Sequence, residues 1–249
     1  VIVMTVDFFK HKYGYEIEGI WLPRVTAVTS LVSKSFLFSN QGSADWGTLV
    51  HETIARMLKK EAVETPPLVQ PSLLAFSEWQ KEYRVKIIDP QAHIETRVYD
   101  MDAGYAGTID MVAEVQGVVG GVDLKTGNGI REEYFLQTAA YLHAYNKGVS
   151  KKEQGKTRWI LRIDQYQECR GCFARKKEKA GTLRITKGKA SCNHQWGQAK
   201  GEAEFQELPD QAKDLEAFLS AKEVWEWSHR DMLKRIANYP KNILQKVLI

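Results

Sequence analysis

Hydrophobic and polar positions change period several times along the chain, and each change marks an element. Thr108 to Val115 is rich in β-branched and apolar residues, and Val118 to Leu124 repeats that character after Gln116-Gly117, a tight-turn dipeptide. Thr126-Gly127-Asn128-Gly129 breaks the second run, and Glu132 to Tyr145 follows with helical periodicity and strong helix formers at Ala139, Ala140 and Ala144. Asp45 to Lys60 predicts another helix, with Leu49, Ile54, Met57 and Leu58 on its apolar side and Lys59 and Lys60 near its C-terminus. Upstream, residues 1–22 alternate (Val3, Thr5, Asp7, then Tyr15, Ile17, Gly19), which predicts a hairpin around His11 to Gly14. Pro23-Arg24-Val25-Thr26 opens a helix expected to run through Val32. Residues 64–71 form a proline-rich connection, followed by a helix from Ser72 to Tyr83 and a strand over 93–100. Thr157 to Asp164 and Glu202 to Leu208 alternate as strands, and Asp214 to Arg235 carries Leu215, Phe218, Leu219 and Trp225 at helical intervals.

Strands interleaved with helices predict an α/β fold with a central mixed sheet flanked by helices. The expected division is one main domain from residues 1–164 and 202–249, interrupted by a basic, cysteine-bearing insert at 165–201. A chain of 249 residues buries a substantial core, and 43% hydrophobic with 27% charged residues is ordinary for a globular protein. The net charge of +4 is compatible with a nucleic-acid partner without establishing one. No segment approaches 18 unbroken apolar residues and no signal-peptide pattern opens the chain, so a cytoplasmic protein with no membrane partner is expected.

Charges interrupt the apolar hairpin. Asp110 lies within the first strand, and Asp123 and Lys125 share one face at the end of the second, with Leu124 on the other. Pairing across Gln116-Gly117 brings Asp110 close to Asp123, and two half-buried carboxylates repel unless one is protonated or a cation lies between them. Hard oxygen ligands suit Mg²⁺ or Mn²⁺. Lys125 would then orient the attacking water and offset charge on a phosphorane. A surface hairpin with an ordinary Asp–Lys pair is the plainer alternative.

The succession Gly107-x-x-Asp110, Asp123-x-Lys125, Gln137-x-x-x-Tyr141 resembles the PD-(D/E)xK nuclease superfamily, in particular its RecB-like exonuclease branch. That branch includes the CRISPR-associated RecB-like nucleases and the mitochondrial genome-maintenance exonuclease. The resemblance implies a restriction-endonuclease-like core, with Asp110, Asp123 and Lys125 catalytic. Gln137 and Tyr141, four residues apart on one helix face, would hold the substrate strand. Gly47-x-x-x-His51 resembles the branch's first motif, which makes His51 a metal ligand beside Asp110, Asp123 and the carbonyl of Leu124. Glu95 stands where the family commonly has a glutamate, as a further ligand or a cross-strand ion-pair partner. Thr26 or Thr29 would touch a DNA phosphate or cap a helix.

The insert contains every cysteine of the chain: Cys169-Arg-Gly-Cys172, then Cys192-Asn-His194. Thiolates two residues apart can reach one tetrahedral ion, and Cys169, Cys172, Cys192 and His194 together make a Cys₃His structural Zn²⁺ site. An iron–sulfur cluster or a disulfide are the alternatives. Between Arg170 and Lys189 eight basic residues face one acid, Glu178, so Lys176, Lys177 and Arg184 are expected on a DNA backbone. The functional expectation is a Mg²⁺-dependent deoxyribonuclease, which the resemblance makes an exonuclease on single-stranded DNA ends. Alternatives are a flap or nicking endonuclease, or a DNA-binding module that does not cut. Helicase motifs are absent, so a helicase or repair or recombination partner would be a separate chain.

Overall fold

The computed structural model describes residues 4–33, 41–62, 65–179 and 181–240, with only the backbone described over 41–44. Two helices and a hairpin come first: α1 (Val6–Tyr13), β1 (Gly14–Ile17), β2 (Ile20–Pro23) and α2 (Val25–Thr29). The hairpin is present, but its turn is Glu18-Gly19, because His11 to Gly14 closes a helix instead. Thr5 caps that helix by accepting from the Phe8 N–H at 3.2 Å, and Phe9 is its buried anchor. The alternation over residues 3–7 misleads because the helix is short and only Phe9 is buried on it.

Helices α3 (Gln41–Leu58) and α4 (Gln70–Glu82) follow, joined through residues of which Val63 and Glu64 lie outside those described. A single turn, α5 (Pro90–His93), capped by Asp89, leads into β3 (Ile94–Asp100), β4 (Tyr105–Val115) and β5 (Val118–Lys125). Gln116 and Gly117 both take left-handed conformations, at φ 50° and 86°, the geometry that joins two strands in a two-residue hairpin. α6 (Glu132–Gly148) then carries the chain to β6 (Thr157–Cys169), parallel to β5. β7 (Arg175–Lys179), β8 (Thr182–Thr186), β9 (Trp196–Glu207) and α7 (Gln211–Leu233) complete the described chain.

Among the described residues the main sheet has seven strands in the order β3-β4-β5-β6-β7-β8, with β9 also on β6. It is mixed: β5 and β6 run parallel and the other pairs antiparallel. One core joins Phe9, Trp21, Tyr105, Phe218 and Trp225 with α2 and α6. The other joins Trp46, Phe76, Trp79, Trp159 and Leu161 through α3 and α4. Helices therefore cover the sheet from both cores. No helix among the described residues is long and apolar enough to cross a membrane.

The expected insert is built differently from a separate knuckle. β6 continues unbroken through residue 165 to Cys169, and β9 begins at Trp196 rather than Glu202 and pairs with it along that length. Polar positions such as Gln165, Gln167 and Lys200 hid this ribbon from an apolar count. Strand β7 joins β6 only at Gln167 and Glu168, while β5 joins β6 over Thr157–Arg162. With β9 along the opposite edge, the β7–β8 hairpin continues the row of β5, just past its C-terminal end.

Candidate metal-dependent active site

Met111 pairs with Val122, which sets Asp110 beside Asp123. Asp110 Oδ2 accepts from the Leu124 N–H at 2.7 Å, and Asp110 Oδ1 lies 3.5 Å from His51 Nδ1. His51, Glu95 and Asp110 each offer a donor atom, and the three atoms lie within 4.8 Å of one another. They line a cavity of about 580 Å³ running along α3 past Arg56 and Lys59. Glu95, at the start of the edge strand β3, holds a left-handed conformation (φ 55°) that a β-strand residue rarely adopts. In that conformation its carboxyl lies within 4.8 Å of the Asp110 and His51 donor atoms.

Asp123 continues the site on its inner side. Its Oδ1 accepts from Gln137 Nε2 at 3.1 Å, and the same amide group reaches the Tyr141 hydroxyl at 3.2 Å. Its Oδ2 lies 2.5 Å from Lys125 Nζ, an ion-pair contact, yet it is buried without a hydrogen bond of good geometry. Lys125 in turn sits 4.7 Å from the centre of the Tyr134 ring. Gly107 makes room for Tyr141: a Cβ there would stand 2.2 Å from Tyr141 Cε1. The Gly107-x-x-Asp110 spacing thus serves two purposes, a carboxylate and a slot for the tyrosine ring.

Burial pushes the Asp123 carboxyl up to about 6, with Asp110 adding repulsion against the pull of Lys125. Burial, and then Asp110, push Glu95 up to about 7. For Asp110 burial is outweighed by His51, Lys125 and the Leu124 N–H, so it stays below the usual carboxylate range. Burial lowers His51 and Lys125, but their carboxylate neighbours more than offset it and raise both. Three carboxylates thus share the site with one lysine and one histidine, and donor atoms of His51, Glu95 and Asp110 converge there, while Asp123 Oδ2 is paired with Lys125. That donor set fits a hard divalent cation.

The cysteine cluster is equally compact. Cys169, Cys172, Cys192 and His194 bring their donor atoms within 4.8 Å of one another. Cys169 and Cys192 sulfurs are 3.8 Å apart, and Cys172 Sγ is 3.4 Å from His194 Nδ1. A tetrahedral ion with sulfur at about 2.3 Å and nitrogen at about 2.0 Å has edges of roughly 3.5 to 3.8 Å. All three cysteines are free thiols, so the disulfide is not formed. Burial opposes ionisation of Cys169, but the Gly171 N–H, the His194 ring and the Cys172 and Gln195 N–H groups bring it down to about 6. The cluster is compatible with a zinc site.

Several other expectations change. Lys177 does not project to solvent: it is ion-paired to the fully buried Asp164. Lys176 lies over the Trp196 ring, and of the three named cations Arg184 is the exposed one. Thr29 is buried with its hydroxyl 3.5 Å from the Thr26 carbonyl, and Arg24 rather than either threonine occupies the N-cap of α2. Sequence reasoning missed Asp164 and Lys179. Its available signal was Arg162 and Asp164 on one face of a strand whose intervening residues are apolar.

Neither a protein-family model nor a curated protein matches this sequence. The functional reading rests on the geometry.

Proposed function

We propose that this chain is a metal-dependent nuclease of the RecB-like type, hydrolysing DNA phosphodiesters. The observation that carries the reading is one connected set of side chains. His51 from α3, Glu95 from β3, Asp110 from β4, Asp123 and Lys125 from β5, and Gln137 and Tyr141 from α6 meet at one end of the hairpin. An ordinary surface Asp–Lys pair needs none of the other five.

His51, Glu95, Asp110 and Asp123, with the Leu124 carbonyl, would hold Mg²⁺ or Mn²⁺. When bound, the cation polarises the phosphoryl group and eases deprotonation of water. The protein's own contribution is charge and position. Lys125 is raised by its carboxylate neighbours and stays protonated, so it acts as a cation. Placed beside Asp123, it orients the attacking water by hydrogen bonding and offsets negative charge as the phosphorane develops. The Gln137 amide fixes the Asp123 rotamer, and Tyr141, held neutral by burial, fixes Gln137. A Cys₃His zinc ion would order the β6–β9 ribbon, and Arg184 would meet a phosphate. Single-stranded ends are the proposed substrate, by resemblance to the RecB-like exonucleases, with a helicase or repair protein as a separate partner.

The test is a time course on end-labelled linear single-stranded DNA with Mg²⁺, Mn²⁺ or EDTA, beside a circular single strand. Metal-dependent shortening of the linear strand alone is expected. Cutting of the circle would make the protein an endonuclease, and cutting of neither would leave a binding module.

A further inference from the structure

The β7–β8 hairpin does more than decorate the sheet, because it ends against the loop that follows Lys125. Lys179, the last residue of β7, is buried and donates through Nζ to the carbonyl of Thr126. The same ammonium lies 3.0 Å from Asp164, which is fully buried on β6 and also binds Lys177 and Arg162. Helix α3 also comes close to Thr126. Gly47 of α3 approaches so closely that a Cβ there would stand 3.0 Å from Thr126 Oγ1, one helical turn before His51. Thr126 therefore has two neighbours: α3, which carries His51, beside its hydroxyl, and at its carbonyl the hairpin, whose base is gathered by Cys169, Cys172, Cys192 and His194.

We infer that Lys179 is a positioning residue of the candidate active site, through which the cysteine-stapled hairpin fixes the Thr126 peptide and hence the adjoining Lys125. This rests on the nuclease reading for its effect on cleavage, but not for its effect on the loop. The geometry explains why a lysine is buried at this point at all. An isolated buried ammonium is expensive, and Asp164 and the Thr126 carbonyl supply the two partners that make it tolerable. It also explains the four glycine and polar residues of Thr126-Gly127-Asn128-Gly129. A segment with so little packing of its own keeps one conformation only if something outside it holds it. Lys125 needs that, since its Nζ must stay between the Asp123 carboxylate and the Tyr134 ring.

The experiment compares Lys179→Met, Lys179→Arg and Lys177→Met in the full chain with its native metal content. Lys177 binds the same Asp164 without a hydrogen bond to Thr126, so it separates the proposed contact from general loosening of the network. Amide hydrogen exchange is followed over residues 124–131, and Mn²⁺ affinity, kcat and KM for labelled single-stranded DNA are measured alongside. Lys179→Met is expected to accelerate exchange in that segment and to lower kcat about tenfold, with KM within about twofold of the parent. Lys179→Arg, which keeps a donor, should recover most of the rate, and Lys177→Met should leave exchange in the segment slow. Equal acceleration by Lys177→Met and Lys179→Met, or none by either, overturns the inference. If the parent chain cuts nothing, the nuclease reading fails, and the exchange comparison alone still decides whether Lys179 holds the loop. Should Lys179→Met fail to fold, Lys179→Gln, whose shorter side chain gives up the Thr126 contact while keeping a polar group beside Asp164, gives the same comparison.

Discussion

Asp110 Oδ2 accepts a 2.7 Å hydrogen bond from the backbone N–H of Leu124, so one carboxylate of the site is tied to the strand that carries the other. The bond fixes Asp110 against Asp123 before any cation arrives, and it leaves Oδ1 facing His51 at 3.5 Å. Preformed geometry of this kind lowers the reorganisation needed to bind a small, hard cation.

Two substitutions at Asp110 should separate structure from chemistry. Asp110→Ala leaves the Leu124 N–H without its partner, at a cost of about 1–3 kcal/mol. Asp110→Asn keeps an oxygen for that bond and removes the repulsion with Asp123. Thermal unfolding should show Asp110→Ala clearly destabilised and Asp110→Asn close to the parent. Both should lose Mg²⁺-dependent cleavage. An active Asp110→Asn protein would remove Asp110 from the cation site.

Gly107 offers a second, steric test. An alanine methyl would lie 2.2 Å from Tyr141 Cε1 and 2.8 Å from Cδ1, so the ring must move. Its hydroxyl would then lose the Gln137 amide, and Gln137 its fixed approach to Asp123. Overpacking of this kind costs about 1–3 kcal/mol, a fall in Tm of roughly 3–10 °C. Cleavage should drop further than the stability loss explains at a temperature where the variant is folded. Full activity in folded Gly107→Ala would show that the Tyr141–Gln137 contact is incidental.

Much of this site was legible in the chain because its residues break local rules. Asp110 and Asp123 stand in apolar strands, Gly107 stands in a strand that does not need it for a turn, and Gln137 and Tyr141 share a helix face. The paired strands themselves were marked by Gln116-Gly117. What stayed hidden depends on tertiary register. Glu95 was named through the resemblance alone, and nothing in HIETRVYD announces the left-handed conformation it holds at the edge of the sheet. The continuation of β6 and β9 into residues 165–201 was obscured because a polar two-stranded ribbon has no apolar period to detect. Lys177 read as a DNA-backbone contact for the same reason: its partner Asp164 is thirteen residues away and across a turn.

The site should also be sensitive to pH. Glu95 is raised to about 7 and Asp123 to about 6, so the metal-free fold holds protons there that the unfolded chain would release. Their proton-bound contribution to stability is present at low pH and is lost as pH rises through those values. A divalent cation competes for the same oxygens, so its affinity moves the other way. Mn²⁺ should bind about tenfold or more weakly at about pH 6 than at about pH 8, and Mg²⁺ should raise Tm more at the higher pH. Glu95→Gln should flatten most of that dependence between them. An unchanged pH profile in Glu95→Gln would take Glu95 out of the ligand set.

Finally, the cysteine cluster should behave as a single metal centre. Its donors span the end of β6, the turn after it and the irregular segment leading into β9, which otherwise meet through the Cys169 N–H to the Ala174 carbonyl and the Arg170 N–H to the Gln195 carbonyl. Cys172→Ser removes one of four donors, and the remaining three hold zinc far more weakly. Metal analysis of the purified chain should find about one zinc, and Cys172→Ser should have lost most of it. Because β7 depends on that base, proteolysis within residues 170–195 should speed up while the core strands stay protected. Retention of one zinc in Cys172→Ser would assign the metal to other ligands, and iron with visible absorption in the parent would replace zinc by a cluster.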